Sequence, residues 1–242
     1  MVMSAVACVL AAAFAVVVWS RWWRGHRPFF AAWGTGLLIF SAAALTQALG
    51  EANGFSVPLF RAFYLLGGVL GVIYLALGTV FLMAPRRVAR SSAVALVLLT
   101  LIISADAAVV PVDPSKLNTA AGVLGQALVG HGTPLFVAAV TFNILGTLIL
   151  VGGSGWSAIS FIRKRAGVDR VLCNVLLTAG ALVVALGFSL AKTVGGSLTQ
   201  LGVAESIGIA VMFAGFLSLG RVGVRSLAPS GSGEGGGLAR RT

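Results

Sequence analysis

Seven long runs of mostly apolar residues dominate the chain, and short polar or Pro/Gly-containing segments separate most of them. The runs cover residues 2–20, 29–50, 59–84, 92–112, 134–161, 170–192 and 197–220. An α-helix of about 20 apolar residues is long enough to cross the hydrocarbon layer of a bilayer. Charged residues make up only 10% of the chain, so a water-soluble domain would expose far too much apolar surface. The sequence therefore predicts an all-α bundle of seven transmembrane helices, which forms a single domain over residues 1–220.

Basic residues are distributed unequally between the two sides of this predicted bundle. The chain has 17 Lys and Arg residues, and alternate loops place only Arg61, Lys116 and Lys192 on one side, which leaves 14 on the other. Loops rich in Lys and Arg stay in the cytoplasm. All five tryptophans, at positions 19, 22, 23, 33 and 156, map near the same basic side, where indole rings favour the membrane interface. We therefore expect a multi-pass protein of the cytoplasmic (inner) membrane, with its N-terminus outside and its C-terminus in the cytoplasm.

The net charge of +11 does not indicate a nucleic-acid-binding protein. The basic residues occur in short clusters between apolar runs, and the chain has no basic domain that would lie along a duplex. They are typical of contacts with anionic lipid headgroups at the cytoplasmic face. The Gly- and Ser-rich segment 221–242 predicts a disordered cytoplasmic tail.

The longest predicted loop, 113–133, lies on the outer side. It opens with the turn-forming pair Asp113-Pro114. We expect its apolar residues Leu117, Val123, Leu124 and Leu128 to form a short surface helix over the mouth of the bundle.

Two carboxylates lie within predicted spans, and a charged group at that depth indicates function or pairing. Counting along each helix places Asp106 roughly 9 Å and Glu205 roughly 13 Å from the outer end, so that the two are expected in one layer. On the seventh span, glycines at three- and four-residue spacing share a face with Glu205, which predicts a helix-packing face there. Helical spacing also directs further polar residues toward the bundle interior, among them Asn143 on the fifth span. The predicted ligand- or proton-binding set is Gln47, Glu51, Arg61, Tyr64, Asp106, Asn143, Lys192 and Glu205. It predicts a polar pocket open to the outside.

A purely structural interpretation of the same residues stays open. Arg61 would pair with Glu51, and Lys192 with Glu205, as ion pairs that hold helices together. Asn143 and Gln47 would then be interhelical amide contacts, which are common in membrane proteins.

The sequence contains no motif that predicts a cofactor, a metal site or an enzyme. The two histidines, His26 and His131, fall in predicted loops and not in spans, which disfavours a bis-histidine haem. Common hydrolase and nucleotide-binding motifs are absent, and Lys192 ends its span, away from the position expected of a retinal lysine. We therefore expect a non-enzymatic protein without a cofactor or metal.

A weak internal repeat suggests a 3+1+3 arrangement of spans. Residues 21–50 and 163–195 both run from a basic cluster through one span to a glycine. Superposition would relate spans one to three with spans five to seven and leave span four as a linker, as in some seven-span transporters.

The segment from Arg27 to Arg87 resembles small multi-span bacterial membrane proteins. The resemblance is carried by Arg27-Pro28, Ala32-Trp33, the turn at 50–54, the run 60–67, Leu77-Gly78 and Pro85-Arg86-Arg87. More distantly, the pattern of spans is similar to the seven-helix sensor region of some bacterial histidine kinases. It implies a sensor or ligand-binding module, which would need a partner membrane or signalling protein because this chain lacks a kinase domain. The alternative is a small-solute or proton-coupled transporter with the 3+1+3 arrangement.

Overall fold

The computed structural model describes residues 1–119, 122–130, 132–165, 168–193 and 197–218, with all their side chains except those of Arg170, Lys192 and Thr193. The predicted tail 221–242 and His131 lie outside the described residues. Within them, seven helices are long and apolar enough to cross a membrane. They are α1 (Val2–Gly25), α2 (Pro28–Asn53), α3 (Val57–Met83), α4 (Arg86–Val109), α5 (Pro134–Arg163), α6 (Val168–Thr193) and α7 (Leu198–Ser218). The predicted all-α, seven-helix fold is confirmed, and the protein is an integral multi-pass membrane protein.

Prolines mark several of the helix boundaries. Pro28 and Pro134 occupy the first positions of α2 and α5, where a backbone N–H would have no acceptor within the helix, so the lack of one costs no hydrogen bond. Ala84 has an extended backbone because it precedes Pro85, and α3 ends there. Within α3, residues Tyr64–Leu70 form a π-helical stretch, a local widening that is often found at functional sites.

Six of the helices form a closed ring. Neighbours around the ring are α1 and α2, α2 and α3, α3 and α5, α5 and α6, α6 and α7, and finally α7 and α1. Helices α6 and α7 pack closely together, since a side chain added at Gly180 or Gly208 would meet the main chain of the opposite helix. The glycine face predicted on α7 is therefore a packing face.

Helix α4 lies outside the ring, against α3 and α5. Of its apolar residues, Ala89, Leu96, Ile103 and Ala107 are buried, while large side chains such as Leu98 and Leu101 are exposed. An apolar surface of this kind faces lipid in a membrane protein.

The segment between α4 and α5 folds back onto the bundle. We call residues 111–119 and 122–129 the lid. Its ends are joined by hydrogen bonds from Asp113 N to Ala127 O at 2.8 Å and from Val129 N to Pro111 O at 3.0 Å. The predicted surface helix was wrong: the lid has a short 3-10 turn at Pro114–Lys116 and a π turn at Gly122–Gln126. Its apolar residues are buried in the cluster that surrounds Phe60 and Tyr64, because this removes more apolar surface from water than a half-exposed helix would. The four residues concerned are Leu117, Val123, Leu124 and Leu128.

The two ends of the bundle differ in chemistry. The basic end carries the Arg86–Arg90 segment, the close of α5 at Arg163 and an aromatic group in which Trp19, Trp22 and Trp23 contact edge to face. There the Arg21 guanidinium lies 4.1 Å from the centre of the Phe216 ring, a cation–π contact. The other end, with Met1 and the lid, is called the amino-terminal end.

Candidate functional site

At the amino-terminal end, Gln47 and Glu51 belong to a compact cluster that joins three helices. The Gln47 side chain is fully buried, and its Nε2 lies 3.1 Å from Ser4 Oγ, 3.0 Å from Glu51 Oε1 and 3.0 Å from the carbonyl of Leu198. Ser4 Oγ donates to Glu51 Oε1 at 3.0 Å, and the amino group of Met1 pairs with Glu51 Oε2. This cluster fastens the start of α1 to the end of α2 and the start of α7.

Arg61 does not pair with Glu51, so that predicted ion pair was wrong. Its guanidinium donates to the carbonyls of Ala108 at 2.6 Å and Val110 at 2.7 Å. These carbonyls lie at the C-terminal end of α4, where no further turn of helix supplies N–H donors. The two-pronged guanidinium donates to both of them at once. Glu51 is already engaged by the cluster around Gln47.

Asp106 caps the start of α5. Its Oδ2 accepts a hydrogen bond from Leu135 N at 2.8 Å, next to Thr133, whose Oγ1 accepts from Phe136 N at 3.4 Å. A carboxylate is favoured at a helix N-terminus because the free N–H groups carry partial positive charge. Asp106 is not among the residues that line the cavity of Glu205 described below. The contacts therefore do not assemble the expected layer shared by the two acids.

Asn143 connects α5 to the π-helical stretch of α3. Its Nδ2 donates to the carbonyl of Gly68 and, at 2.7 Å, to that of Ala139 one turn back on its own helix. Tyr64, which opens the π stretch, is buried with its ring against Phe60 and beside Gly125 of the lid. Gly125 has φ of +127°, so a glycine is required where the lid covers Tyr64.

A cavity of about 210 Å³ lies between α3, α5 and α6, and we call it the lateral cavity. Two of its wall residues, Val140 and Ile144, are 38% and 59% exposed, so the cavity reaches the outer surface of the bundle. Its walls are Tyr64, Gly68, Ala139, Val140, Asn143, Ile144, Phe188 and Ser189.

Glu205 lines a second cavity, of about 60 Å³, inside the six-helix ring. We call it the Glu205 cavity. The residue as a whole is half-buried, but its Oε2 atom is buried and has no hydrogen-bond partner among the described residues. Asn143 and Phe188 line both this cavity and the lateral cavity, so they form the wall between them. The other lining residues are Phe40, Ala43, Phe63, Gly67, Val72, Thr147, Val184, Ala185 and Leu201.

Two smaller cavities, of about 30 Å³ each, continue from the Glu205 cavity toward the basic end. The middle cavity shares Val72 and Thr147 with the Glu205 cavity, and it shares Leu75, Leu150 and Met212 with the last one. The last one is lined partly by polar residues, among them Thr79, Ser154, Ser157 and Asn174. Thr178 Oγ1 donates to Ser154 Oγ at 2.8 Å beside it. The cavities thus follow the bundle axis, with a mainly apolar section in the middle.

Sequence reasoning missed Thr147 and Phe188 as site residues. Thr147 lies one helical turn after Asn143, which was the available signal for it. No spacing rule distinguishes Phe188 from the lipid-facing aromatic residues of the chain. The side chain of Lys192 lies outside the described residues, and so does its predicted pairing with Glu205.

In comparisons with known protein families, curated proteins and solved structures, nothing matches this chain.

Proposed function

We propose that the protein is a non-enzymatic sensor that binds a small ligand at Glu205, within the ring of six helices. The observation that carries this proposal is the buried Oε2 atom of Glu205, which lines a cavity and has no described partner. A buried polar atom without a partner costs free energy, so an occupant that satisfies it would bind favourably.

The chemistry of the Glu205 cavity supports ligand binding. Besides the carboxyl group, its described walls offer the amide of Asn143 and the hydroxyl of Thr147, and the other described wall residues are apolar. A carboxyl, an amide and a hydroxyl are groups that hold and orient a ligand.

The position of the cavity supports a sensing role. Five helices contribute to its walls, namely α2, α3, α5, α6 and α7, so an occupant contacts most of the ring at once. A ligand that contacts two arrangements of these helices differently would shift their populations. A partner membrane or signalling protein would detect the shift.

The basic end supports the proposed orientation. With this end in the cytoplasm, the exposed Trp23 and Trp156 rings lie at the inner interface and the arginines meet anionic lipid headgroups. The location in the cytoplasmic membrane is part of the same proposal.

The test of ligand binding compares the thermal stability of purified wild-type and Glu205→Gln protein across a panel of small solutes, cations and pH values. We expect at least one condition to raise the Tm of the wild type and of Asp106→Asn but not of Glu205→Gln, since binding to the native state stabilises it. The same response in Glu205→Gln would contradict the proposal.

A transporter is the second candidate, and two observations favour it. The cavities follow the bundle axis, and α4 lies outside a ring made of α1–α3 and α5–α7, the position that a linker takes in the 3+1+3 arrangement. Flux into proteoliposomes separates the candidates. A solute flux abolished by Glu205→Gln supports transport, whereas binding without flux supports the sensor.

A further inference from the structure

We infer that the ligand of Glu205 is a monovalent cation, either a proton or an alkali-metal ion. This inference rests on the proposed function and names the chemistry of the same site. It follows from the size of the Glu205 cavity, from the charges around it and from the oxygen atoms in its walls.

The size of the cavity restricts its occupant. About 60 Å³ is room for a few water molecules or a small ion with water, since one water needs a space of about 10–15 Å³ measured in this way. Sites for larger organic ligands are about 300–1,000 Å³. Even with the adjoining lateral cavity of about 210 Å³, the space stays below that range.

The charge of the site requires a positive partner. A bare carboxylate without a counter-charge is strongly disfavoured in an apolar interior. Among the described wall residues Glu205 is the one charged group. Three other charged residues toward the amino-terminal end have other partners: Arg61 holds the end of α4, Asp106 caps α5, and Glu51 pairs with Met1. Lys192 lies one turn beyond Phe188 on α6, and its side chain is outside the described residues. The variant Lys192→Met therefore tests separately whether it supplies the counter-charge.

The neutral groups at the site also suit a cation. Both N–H groups of the Asn143 amide have carbonyl acceptors, on Gly68 and Ala139, so the part of this side chain left for a ligand is its oxygen. The Thr147 hydroxyl adds another oxygen to the same cavity. Hard cations bind to oxygen ligands of this kind.

The experiment is infrared spectroscopy of the protein in phosphatidylcholine vesicles, under perfusion with buffers of different pH and salt. A protonated carboxyl group has its own C=O absorption. We expect a pH-dependent carboxyl band that is lost in Glu205→Gln and kept in the matched variant Asp106→Asn. A decrease of this band in Na⁺ relative to choline at one pH identifies an alkali-metal ion as a ligand. A band that changes with pH but not with Na⁺ identifies the proton.

Two results would overturn the cation assignment. One is the absence of any Glu205 band that responds to pH or Na⁺. The other is a response that appears only in Lys192→Met, since Lys192 would then already supply the counter-charge. If either occurs while another solute still raises the Tm in a Glu205-dependent way, the proposed function stands and only this inference fails.

Discussion

Asn143 donates a side-chain hydrogen bond to the main-chain carbonyl of Gly68, and this contact joins α5 to the π-helical stretch of α3. It does so at the wall between the lateral cavity and the Glu205 cavity. A side chain that fixes two helices and lines two cavities is placed to affect both stability and ligand binding.

We expect Asn143→Ala to lower the free energy of unfolding by about 1 kcal/mol, the usual size of an interhelical hydrogen bond in a membrane protein. The measurement is equilibrium unfolding by SDS in mixed micelles. Leu148→Ala is the control on the same helix, because Leu148 is 66% exposed. Equal losses in the two variants would show that the Gly68 contact contributes nothing specific.

Asp106→Ala should destabilise the protein by about 1 kcal/mol, because the N–H of Leu135 loses its acceptor at the start of α5. Asp106→Asn keeps an oxygen acceptor and should cost less. The same SDS titration measures both. If the two variants are equally stable, Asp106 does not act as a helix cap.

Arg61→Lys should lower the free energy of unfolding by about 2 kcal/mol, because a single ammonium group does not reproduce the fork onto Ala108 and Val110. Arg90→Lys is the control, at an exposed position near the basic end.

A double-mutant cycle tests the partner of Arg61. Since Arg61 contacts α4 and Glu51 contacts Met1, the effects of Arg61→Met and Glu51→Gln should add to within about 0.5 kcal/mol. A larger coupling free energy would support the Arg61–Glu51 ion pair of the sequence analysis.

Protonation of Asp113 should loosen the start of the lid. Hydrogen bonds from the Ser115 side chain and backbone lower the pKa of Asp113 below its usual value of 3.8, with a smaller effect from Lys116. A lowered pKa in the folded state means that the stabilisation is present above about pH 4 and is lost as the pH falls through the folded-state value. Carboxyl NMR titration should show the pKa rise in Ser115→Ala. An unchanged pKa would contradict this account.

The sequence was sufficient for the spans, and the reason is local. Each apolar run must match the same bilayer thickness, so the run 59–84 predicts α3 almost as observed at Val57–Met83. Glycines at three- and four-residue spacing likewise predict the packing face of α7, because side chains three and four positions apart share one side of a helix.

The sequence was less informative for the candidate site. Depth along a helix placed Asp106 and Glu205 in one layer, but depth says nothing about the order of helices around a ring. With α4 outside the ring, Asp106 meets the start of α5 while Glu205 lines an interior cavity. The lid shows the same limit, since its burial depends on a surface formed by α3 and not on its own pattern of residues.

The sequence alone thus determined that this is a seven-helix membrane protein, because hydrophobic length is a property of each segment by itself. Only the tertiary structure decided which polar groups meet. Arg61 donates to carbonyls at the end of α4, and Gln47 forms hydrogen bonds with Ser4 and Glu51. The Oε2 atom of Glu205 lines a cavity and has no hydrogen-bond partner among the described residues. A hydrogen bond depends on the positions of two helices to within a few tenths of an ångström, and those positions follow from the packing of the whole ring.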